Sequence, residues 1–201
     1  CGNVMLMNPD NKSFSKLVVI GTSWGGIDAL KVLLGQLNTP FTFALVVVIH
    51  QERHKKSHLS TIFTRMVPFP VLEAEDKQAI LPGNMYISTP NYHLLVEQDG
   101  TLSHTTDSAV NFCRPSVDVL FQTAADAFGD RVIAVVLTGA NQDGAEGAKW
   151  IQQRGGKVFV QDPKEAEAKV MPLATIAKID VDLIGNLATL ASALNDLEHK
   201  T

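Results

Sequence analysis

Three side chains with the chemistry of a hydrolase each lie just beyond a run of apolar residues: Ser23, His50 and Asp143. A serine hydroxyl is a weak nucleophile until a base removes its proton, and an imidazole does this well near neutral pH. A carboxylate behind the imidazole fixes its tautomer and stabilises the imidazolium that forms. The residue types and their positions therefore predict hydrolysis through a serine nucleophile.

Ser23 lies in a glycine-rich turn, GTSWG at residues 21–25, that fits the G-x-S-x-G pattern of a nucleophile elbow. Such a turn needs backbone conformations that are costly for residues with a Cβ, which explains the glycines. A phosphate-binding or purely structural turn has the same glycines, so both interpretations stay open on this stretch alone. The Rossmann fingerprint fits poorly, because Ser23 stands where that motif needs its second glycine.

His50 and Asp143 have structural interpretations as well. A histidine after a strand can be a hydrogen-bonded structural residue, and Asp143 could be the N-cap of a helix that follows Gly144. Asp107 and Asp162 are competing candidates for the acid. Open parallel sheets carry their chemistry at the carboxyl ends of the strands. A candidate nucleophile, base and acid each lie at such a strand end, and this agreement favours the hydrolytic interpretation.

The histidines His50, His54 and His58 have a spacing of four residues, which imitates the metal-binding face of a helix. Apart from Glu52, no carboxylate or cysteine nearby completes a ligand set, and lysines occupy residues 55–56. We therefore predict no metal site here and expect His54 and His58 to face solvent.

The composition of the 201 residues limits the class of protein. A net charge of −4 offers no basic face, so nucleic acid is not an expected partner. The cysteines Cys1 and Cys113 form neither a disulfide framework nor a C-x-x-C pair, which favours a reduced, cytoplasmic setting. No run approaches the ~18 apolar residues of a membrane helix, so we expect no membrane insertion.

Apolar runs of strand length alternate with helical patterns along the chain. The strands are predicted at 17–20, 43–49, 71–74, 84–88, 132–137, 157–161 and 181–184, with a hairpin at 94–102. Continuous apolar runs are typical of strands buried on both faces. We therefore predict an α/β fold with a doubly wound, mostly parallel sheet flanked by helices and a small β-hairpin. Pro115 is expected to open one of the helices, and Pro172 another.

Four segments, in this order, resemble the catalytic domain of the chemotaxis protein-glutamate methylesterase (CheB) family: VVIGTSWGGIDAL, VVVIHQ, FCRPSVDVLF and VVLTGANQDGAEG. The resemblance runs from about residue 16 to the C-terminus. It implies a triad of Ser23, His50 and Asp143 and no cofactor. It also implies hydrolysis of glutamate γ-methyl esters on the cytoplasmic helices of chemoreceptors, with deamidation of receptor glutamines as a second activity.

Two departures from the family pattern flank the expected oxyanion pocket. Trp24 stands where the family has threonine, and Ala140 and Asn141 stand where it has methionine and glycine. The backbone N–H groups of Trp24 and Ala140 are the candidate oxyanion donors, and side-chain changes do not remove them. Arg114 is a candidate for recognising an acidic receptor surface, with a structural ion pair to Asp118 as the alternative.

We assign residues 1–15 to a tail or linker remnant and residues 16–201 to the catalytic domain. The resemblance implies a receiver domain as a partner, upstream or in trans, and residues 1–15 carry no receiver pattern. We therefore expect the isolated chain to be active without phosphorylation. The alternatives are a serine esterase with another ester substrate and a catalytically weak binding module.

Overall fold

Nine strands are found in residues 14–51 and 58–199, the part of the chain that the computed structural model describes. They are β1 (Leu17–Thr22), β2 (Ala44–Ile49), β3 (Val71–Glu73), β4 (Met85–Ile87), β5 (His93–Val96), β6 (Leu102–Thr105), β7 (Val132–Val136), β8 (Lys157–Gln161) and β9 (Leu183–Gly185).

Seven of these strands form one sheet in the order β3-β4-β2-β1-β7-β8-β9, and every pairing in it is parallel. The strands β5 and β6 pair antiparallel as a separate hairpin. The predicted fold class is confirmed. The strand order reverses beside β1, which lies between β2 and β7, and this is where open α/β sheets place their ligands.

Six α-helices cover the sheet within the same residues. They are α1 (Gly26–Leu34), α2 (Leu59–Thr64), α3 (Val117–Phe128), α4 (Ala145–Gln153), α5 (Val170–Lys178) and α6 (Leu187–Asn195).

The core is divided by the sheet into two layers. Helices α1, α2 and α6 contribute to the layer that contains Val18 and Ile20, whereas α3, α4, α5 and the hairpin share the layer with Leu17 and Val19. Successive residues of β1 therefore serve opposite layers, as the alternation of a strand requires. This explains why the strand sequences are continuously apolar.

Some element boundaries differ from the sequence prediction. Helix α3 begins at Val117 rather than Pro115, because Ser116 is the N-cap and its hydroxyl accepts a hydrogen bond from the N–H of Val119. Helix α5 begins at Val170, two residues before Pro172. Strand β6 extends to Thr105, three residues beyond the end of the hairpin predicted at 94–102.

Phe14, which the sequence analysis assigns to the tail, is buried and packs against Phe128 with ring centroids 5.0 Å apart. The tail residues before it lie outside the described part of the chain. Among the described helices, none has the length and apolar character needed to cross a membrane.

Candidate active site

The carboxyl ends of β1, β2 and β7 meet at one edge of the sheet and are joined there by main-chain hydrogen bonds. The N–H of His50 donates to the carbonyl of Thr22 at 3.1 Å, and the N–H of Ser23 donates to the carbonyl of Thr138 at 3.0 Å. The hydroxyl of Thr138 in turn donates to the carbonyl of Trp24 at 2.9 Å. The turn that carries Ser23 is therefore fixed to both neighbouring strand ends.

The turn after β1 has the geometry of a strand-to-helix elbow. Gly25 is the N-cap of α1 and has a φ of 77°, in the left-handed region that favours glycine. The N–H of Gly26 donates to the carbonyl of Ser23 at 2.9 Å and closes the turn. The side chain of Ser23 is consequently presented, partly exposed, at the N-terminal end of α1.

Ser23 and His50 line one surface pocket of about 370 Å³, which also contains Trp24 and Ile49. Within the described residues, the hydroxyl of Ser23 makes no hydrogen bond to the His50 ring. Hydrogen bonds of this kind are often long or absent before substrate binds. The pocket has room for an ester side chain between the two residues.

The carboxylate of Asp143 contacts the ring of His50, with 2.8 Å between Oδ2 and Nε2. Asp143 is fully buried, and it also accepts hydrogen bonds from the Ser116 hydroxyl at 2.8 Å and from the N–H groups of Val117 at 2.7 Å and Asp118 at 3.1 Å. Asp143 is thus bound at the N-terminus of α3, and Gly144, not Asp143, is the N-cap of α4.

The pKa of the Asp143 carboxyl reflects these contacts. Burial favours the neutral acid, but the hydrogen bond and charge of His50, with the donors of Val117 and Ser116, hold the pKa below its ordinary value. The carboxylate is therefore ionised and can accept a hydrogen bond from Nε2 of His50 when that nitrogen carries a proton.

A second buried carboxyl, Asp118, lies behind Asp143. Its Oδ1 accepts hydrogen bonds from the N–H groups of Gly144 at 2.9 Å and Gly147 at 2.7 Å. Burial raises the pKa of Asp118 to about 6 against these two donors, and the neighbouring charge of Asp143 adds to the rise. Asp118 therefore joins the start of α4 to the start of α3.

The other ring nitrogen of His50 faces Asn141 and Cys113. The side-chain amide of Asn141 lies 3.0 Å from Nδ1, and the Cys113 sulfur lies 3.7 Å from it. Burial disfavours a charged ring, but the hydrogen bonds and charges of Asp143 and Cys113 outweigh it and raise the pKa of His50 to about 9. Sequence reasoning missed the Cys113 contact, and no local pattern signals it.

The candidate oxyanion donors come from the turn after β1 and from the loop after β7. The N–H of Trp24 is in the elbow, and Ala140 follows the Thr138-Gly139 end of β7; neither N–H donates a hydrogen bond within the described residues. The Trp24 indole is 67% exposed and donates to the Glu167 carboxylate at 2.8 Å. Trp24 thus contributes a largely exposed indole to the lining of the pocket that contains Ser23.

Arg114 does not pair with Asp118, contrary to the structural alternative from the sequence. Its guanidinium donates to Asn91 Oδ1 at 2.8 Å and to the carbonyls of Thr106 at 2.6 Å and Asp107 at 3.0 Å. Arg114 therefore fastens the loop after β6 to the loop before β5.

The remaining candidates from the sequence lie apart from the His50 ring. The side chain of Asp162 accepts from the N–H of Lys164, and Asp107 is exposed, so neither is the acid that contacts His50. His58 is exposed, as predicted, and His54 lies outside the described residues.

One group of described residues has the composition of a metal site: His50, Cys113 and Asp143, whose ligand atoms lie within 4.8 Å of one another. Both carboxylate oxygens of Asp143 already accept hydrogen bonds from His50 and from the start of α3. A cation would have to displace these donors, so the arrangement fits a hydrogen-bonded base better than a ligand set.

Comparisons with known proteins agree on one family. A family model described as CheB methylesterase matches residues 18–194. A Leptospira interrogans protein, provisionally assigned as a protein-glutamate methylesterase/protein-glutamine glutaminase, is 42% identical over 188 residues, which cover 91% of this chain and 97% of that protein. A protein-glutamate methylesterase/protein-glutamine glutaminase of Nocardioides sp. is 40% identical over 160 residues, 78% of this chain and 43% of that protein.

A solved structure is also similar. The crystal structure of the Thermotoga maritima CheB methylesterase catalytic domain matches with a TM-score of 0.87 and 30% identity, over 91% of this chain and 98% of that one.

Proposed function

The chain belongs to the CheB methylesterase family, and on this premise we propose that it hydrolyses glutamate γ-methyl esters on the cytoplasmic helices of chemoreceptors. The observation that carries the proposal is the geometry at three adjacent strand ends. Ser23 and His50 line one pocket, and Asp143 contacts the ring of His50 at 2.8 Å. The proposal places the protein in the cytoplasm, with the receptor helices as its substrate and a receiver domain as its regulatory partner.

In the proposed reaction, His50 removes the proton of Ser23 through Nδ1, because Nε2 is bound to Asp143. The Ser23 oxygen attacks the ester carbonyl and forms a tetrahedral intermediate. The N–H groups of Trp24 and Ala140 donate to its oxyanion, and Asp143 stabilises the imidazolium. His50 then gives the proton to the departing methoxide, which leaves as methanol.

Water completes the cycle on the acyl-enzyme. His50 takes a proton from the water as it attacks, and the acyl bond to Ser23 breaks with return of that proton to the Ser23 oxygen. The product is the free glutamate carboxylate. Deamidation of a receptor glutamine needs the same steps, with His50 giving its proton to the departing amide nitrogen, which leaves as ammonia. Arg114 has no direct role in this scheme, since its guanidinium donates four hydrogen bonds within the protein.

The test combines an active-site probe with the natural leaving group. A fluorophosphonate should label wild-type protein at Ser23, and the protein should release methanol from a methylated receptor. Ser23→Ala should abolish both and leave the melting temperature nearly unchanged, because Ser23 lies at a partly exposed turn. Ser192→Ala, an exposed serine on α6, is the matched control and should retain both activities.

Three outcomes contradict the proposal. Labelling of Ser23 without methanol release would make the protein a serine esterase for another ester. Absence of labelling would leave a binding module without turnover. Retention of more than a few per cent of methanol release by Ser23→Ala would show that the nucleophile is another residue.

A further inference from the structure

The side chain of Asn141 is bound at both of its polar ends within the candidate active site. Its Oδ1 accepts from the N–H of Asp143 at 3.0 Å, and its Nδ2 lies 3.0 Å from Nδ1 of His50. Because an N–H donor at Asp143 requires the oxygen, the amide nitrogen must be the end that faces the ring. The orientation of the amide is therefore determined by its own loop.

This orientation determines the tautomer of His50. A neutral imidazole has one donor and one acceptor nitrogen, and Nδ1 faces an amide donor, so Nδ1 is the acceptor. The proton of the neutral ring is then on Nε2, where Asp143 accepts it at 2.8 Å. The loop residues 141 and 143 thus hold the ring at both nitrogens.

The contact with Asn141 uses the lone pair that the reaction needs. Nε2 is bound to Asp143, so only Nδ1 can take the proton of Ser23, and its single in-plane lone pair accepts one good hydrogen bond. We infer that Asn141 is a positioning residue that latches the neutral form of the base: once His50 has lost its Nδ1 proton, the amide of Asn141 binds that nitrogen and must leave it before Ser23 can transfer its proton. This inference rests on the proposed serine mechanism.

The surroundings of Asn141 allow this release. Its amide nitrogen also lies 3.5 Å from the sulfur of Cys113, which offers a second, weaker acceptor. Asn141 lines a pocket of about 300 Å³ with Phe112 and Val170, distinct from the pocket that contains Ser23. The amide therefore has both an alternative partner and free space in a pocket that Ser23 does not line.

The latch also makes the charge of the base depend on Asn141. An amide donor at Nδ1 stabilises the neutral ring and conflicts with a proton on that nitrogen. The titratable groups that face His50 are Asp143, from the loop after β7, and Cys113, from the loop before α3; Asp118 on α3 reaches it only through Asp143. Removal of the amide should therefore make His50 easier to protonate.

The sharpest variant is Asn141→Ser. A serine hydroxyl can still accept from the N–H of Asp143, as in an ST turn, but it is too short to reach Nδ1. Asn141→Ala removes both contacts and reports the contribution of loop support. Gln142→Ala is the matched control, because Gln142 is exposed in the same loop and the hydrogen bonds found for the His50 ring among the described residues go to Asp143, Cys113 and Asn141.

Three measurements are compared across these variants. They are kcat/KM for methanol release as a function of pH, the rate of fluorophosphonate labelling of Ser23, and the ¹⁵N chemical shifts of the His50 ring through a pH titration. The pH plateau isolates the latch from protonation, because His50 is neutral there in every variant.

Asn141→Ser should raise the plateau kcat/KM and the labelling rate by about 2- to 10-fold, the worth of one hydrogen bond, and move the pKa of His50 to higher pH. Asn141→Ala should show the same pKa shift with a smaller gain in rate, and Gln142→Ala should match wild type. A slower plateau for Asn141→Ser with an unchanged pKa would overturn the inference, because Asn141 would then only support the loop.

The proposed function can fail separately. If wild type is labelled but releases no methanol, the labelling rates and the ring titration still decide whether the latch exists. If Ser23 is not labelled at all, the ¹⁵N shifts decide alone: a wild-type ring with a proton on Nδ1 at high pH would contradict the latch.

Discussion

At the scale of single residues, His50 is the group whose surroundings decide most. Asp143 and Cys113 favour the charged ring, burial opposes it, and the first two prevail. His50, the proposed base, is therefore protonated over most of the neutral range, where an unperturbed histidine would be largely neutral. The ability of His50 to accept a proton therefore depends on pH in a way that the sequence alone does not reveal.

Activity should accordingly rise with pH through about 9. Below this pKa, Nδ1 of His50 carries a proton and cannot accept another from Ser23. The pH profile of kcat/KM reports the ionisation of free enzyme, so it should climb tenfold per unit at low pH and level off above about 9. Methanol release in buffers from pH 6 to 10, corrected for spontaneous hydrolysis, measures this.

The exposed histidine provides the control for that profile. His58→Gln should leave the profile unchanged, because His58 lies outside the contacts described for His50. A profile that is already level at pH 7 would contradict the raised pKa.

The same shift in the pKa of His50 has a consequence for stability. The raised pKa favours the folded state fully below pH 6.5, and that contribution is lost as the pH rises towards 9.

At the scale of elements, Asp143 connects three of them. It follows β7, contacts His50 at the end of β2, and accepts the first donors of α3 at Val117 and Asp118. The free N–H groups of a helix N-terminus stabilise a carboxylate. The orientation of the base thus depends on the docking of α3 against the end of the sheet.

Replacement of Asp143 should cost stability as well as activity. Asp143→Ala leaves the buried donors of Ser116, Val117 and Asp118 without their acceptor and should lower the free energy of unfolding by about 3–5 kcal/mol. Urea denaturation at pH 7 measures this, with Ser23→Ala as the control that should change stability by less than about 0.5 kcal/mol.

A second variant separates the two roles of Asp143. Asp143→Asn keeps the shape and one acceptor, so it should lose less stability than Asp143→Ala and still be nearly inactive, because its amide favours the wrong tautomer of His50. Equal stability of Asp143→Ala and wild type would show that α3 does not depend on this carboxylate.

The elements that the sequence predicts well are those with a local signal. The apolar runs of β1, β2 and β7 specified three strand ends, and open-sheet topology brought Ser23, His50 and Asp143 to one edge. The start of α3 was placed too early, because Pro115 is a weaker signal than the Ser116 cap. The contacts of Cys113 and Asn141 with His50 join residues 63 and 91 positions apart, and no periodicity encodes such pairs.

At the scale of the whole molecule, the site lies where β1 and one layer of helices come into close contact. A Cβ on Gly21 would lie 2.2 Å from Cγ1 of Val117, so the strand that leads to Ser23 accepts the first residue of α3 only because it has glycine there. The same residue of α3 donates to Asp143. The packing of α3 on β1 and the position of the Asp143 carboxylate therefore both depend on the contact between Gly21 and Val117.

Gly21→Ala should consequently lower both the stability of the fold and the reactivity of Ser23. The added methyl must displace Val117, a stiff and fully buried side chain, at a cost of about 1–3 kcal/mol. The melting temperature and the rate of fluorophosphonate labelling should both fall.

The double variant tests the cause of this loss. Gly21→Ala with Val117→Ala removes the opposing methyl groups and should recover part of the stability lost by Gly21→Ala. If the two substitutions are simply additive, the contact is not what makes glycine necessary at this position.

The main-chain bonds that tie His50 to Thr22, and Ser23 to Thr138, have a consequence for how such a protein can change over generations. The spacing between the main chains at the proposed nucleophile and its base is set by parallel strands about 4.8 Å apart rather than by the side chains that line the pocket. Residues 111–113 and 140–142, which surround the ring and the pocket, lie on loops and are free of that constraint. Exchange of residues such as Trp24, Ala140 or Asn141 can therefore change the choice of ester or the readiness of the proposed base, while the strand ends that carry Ser23 and His50 keep their positions.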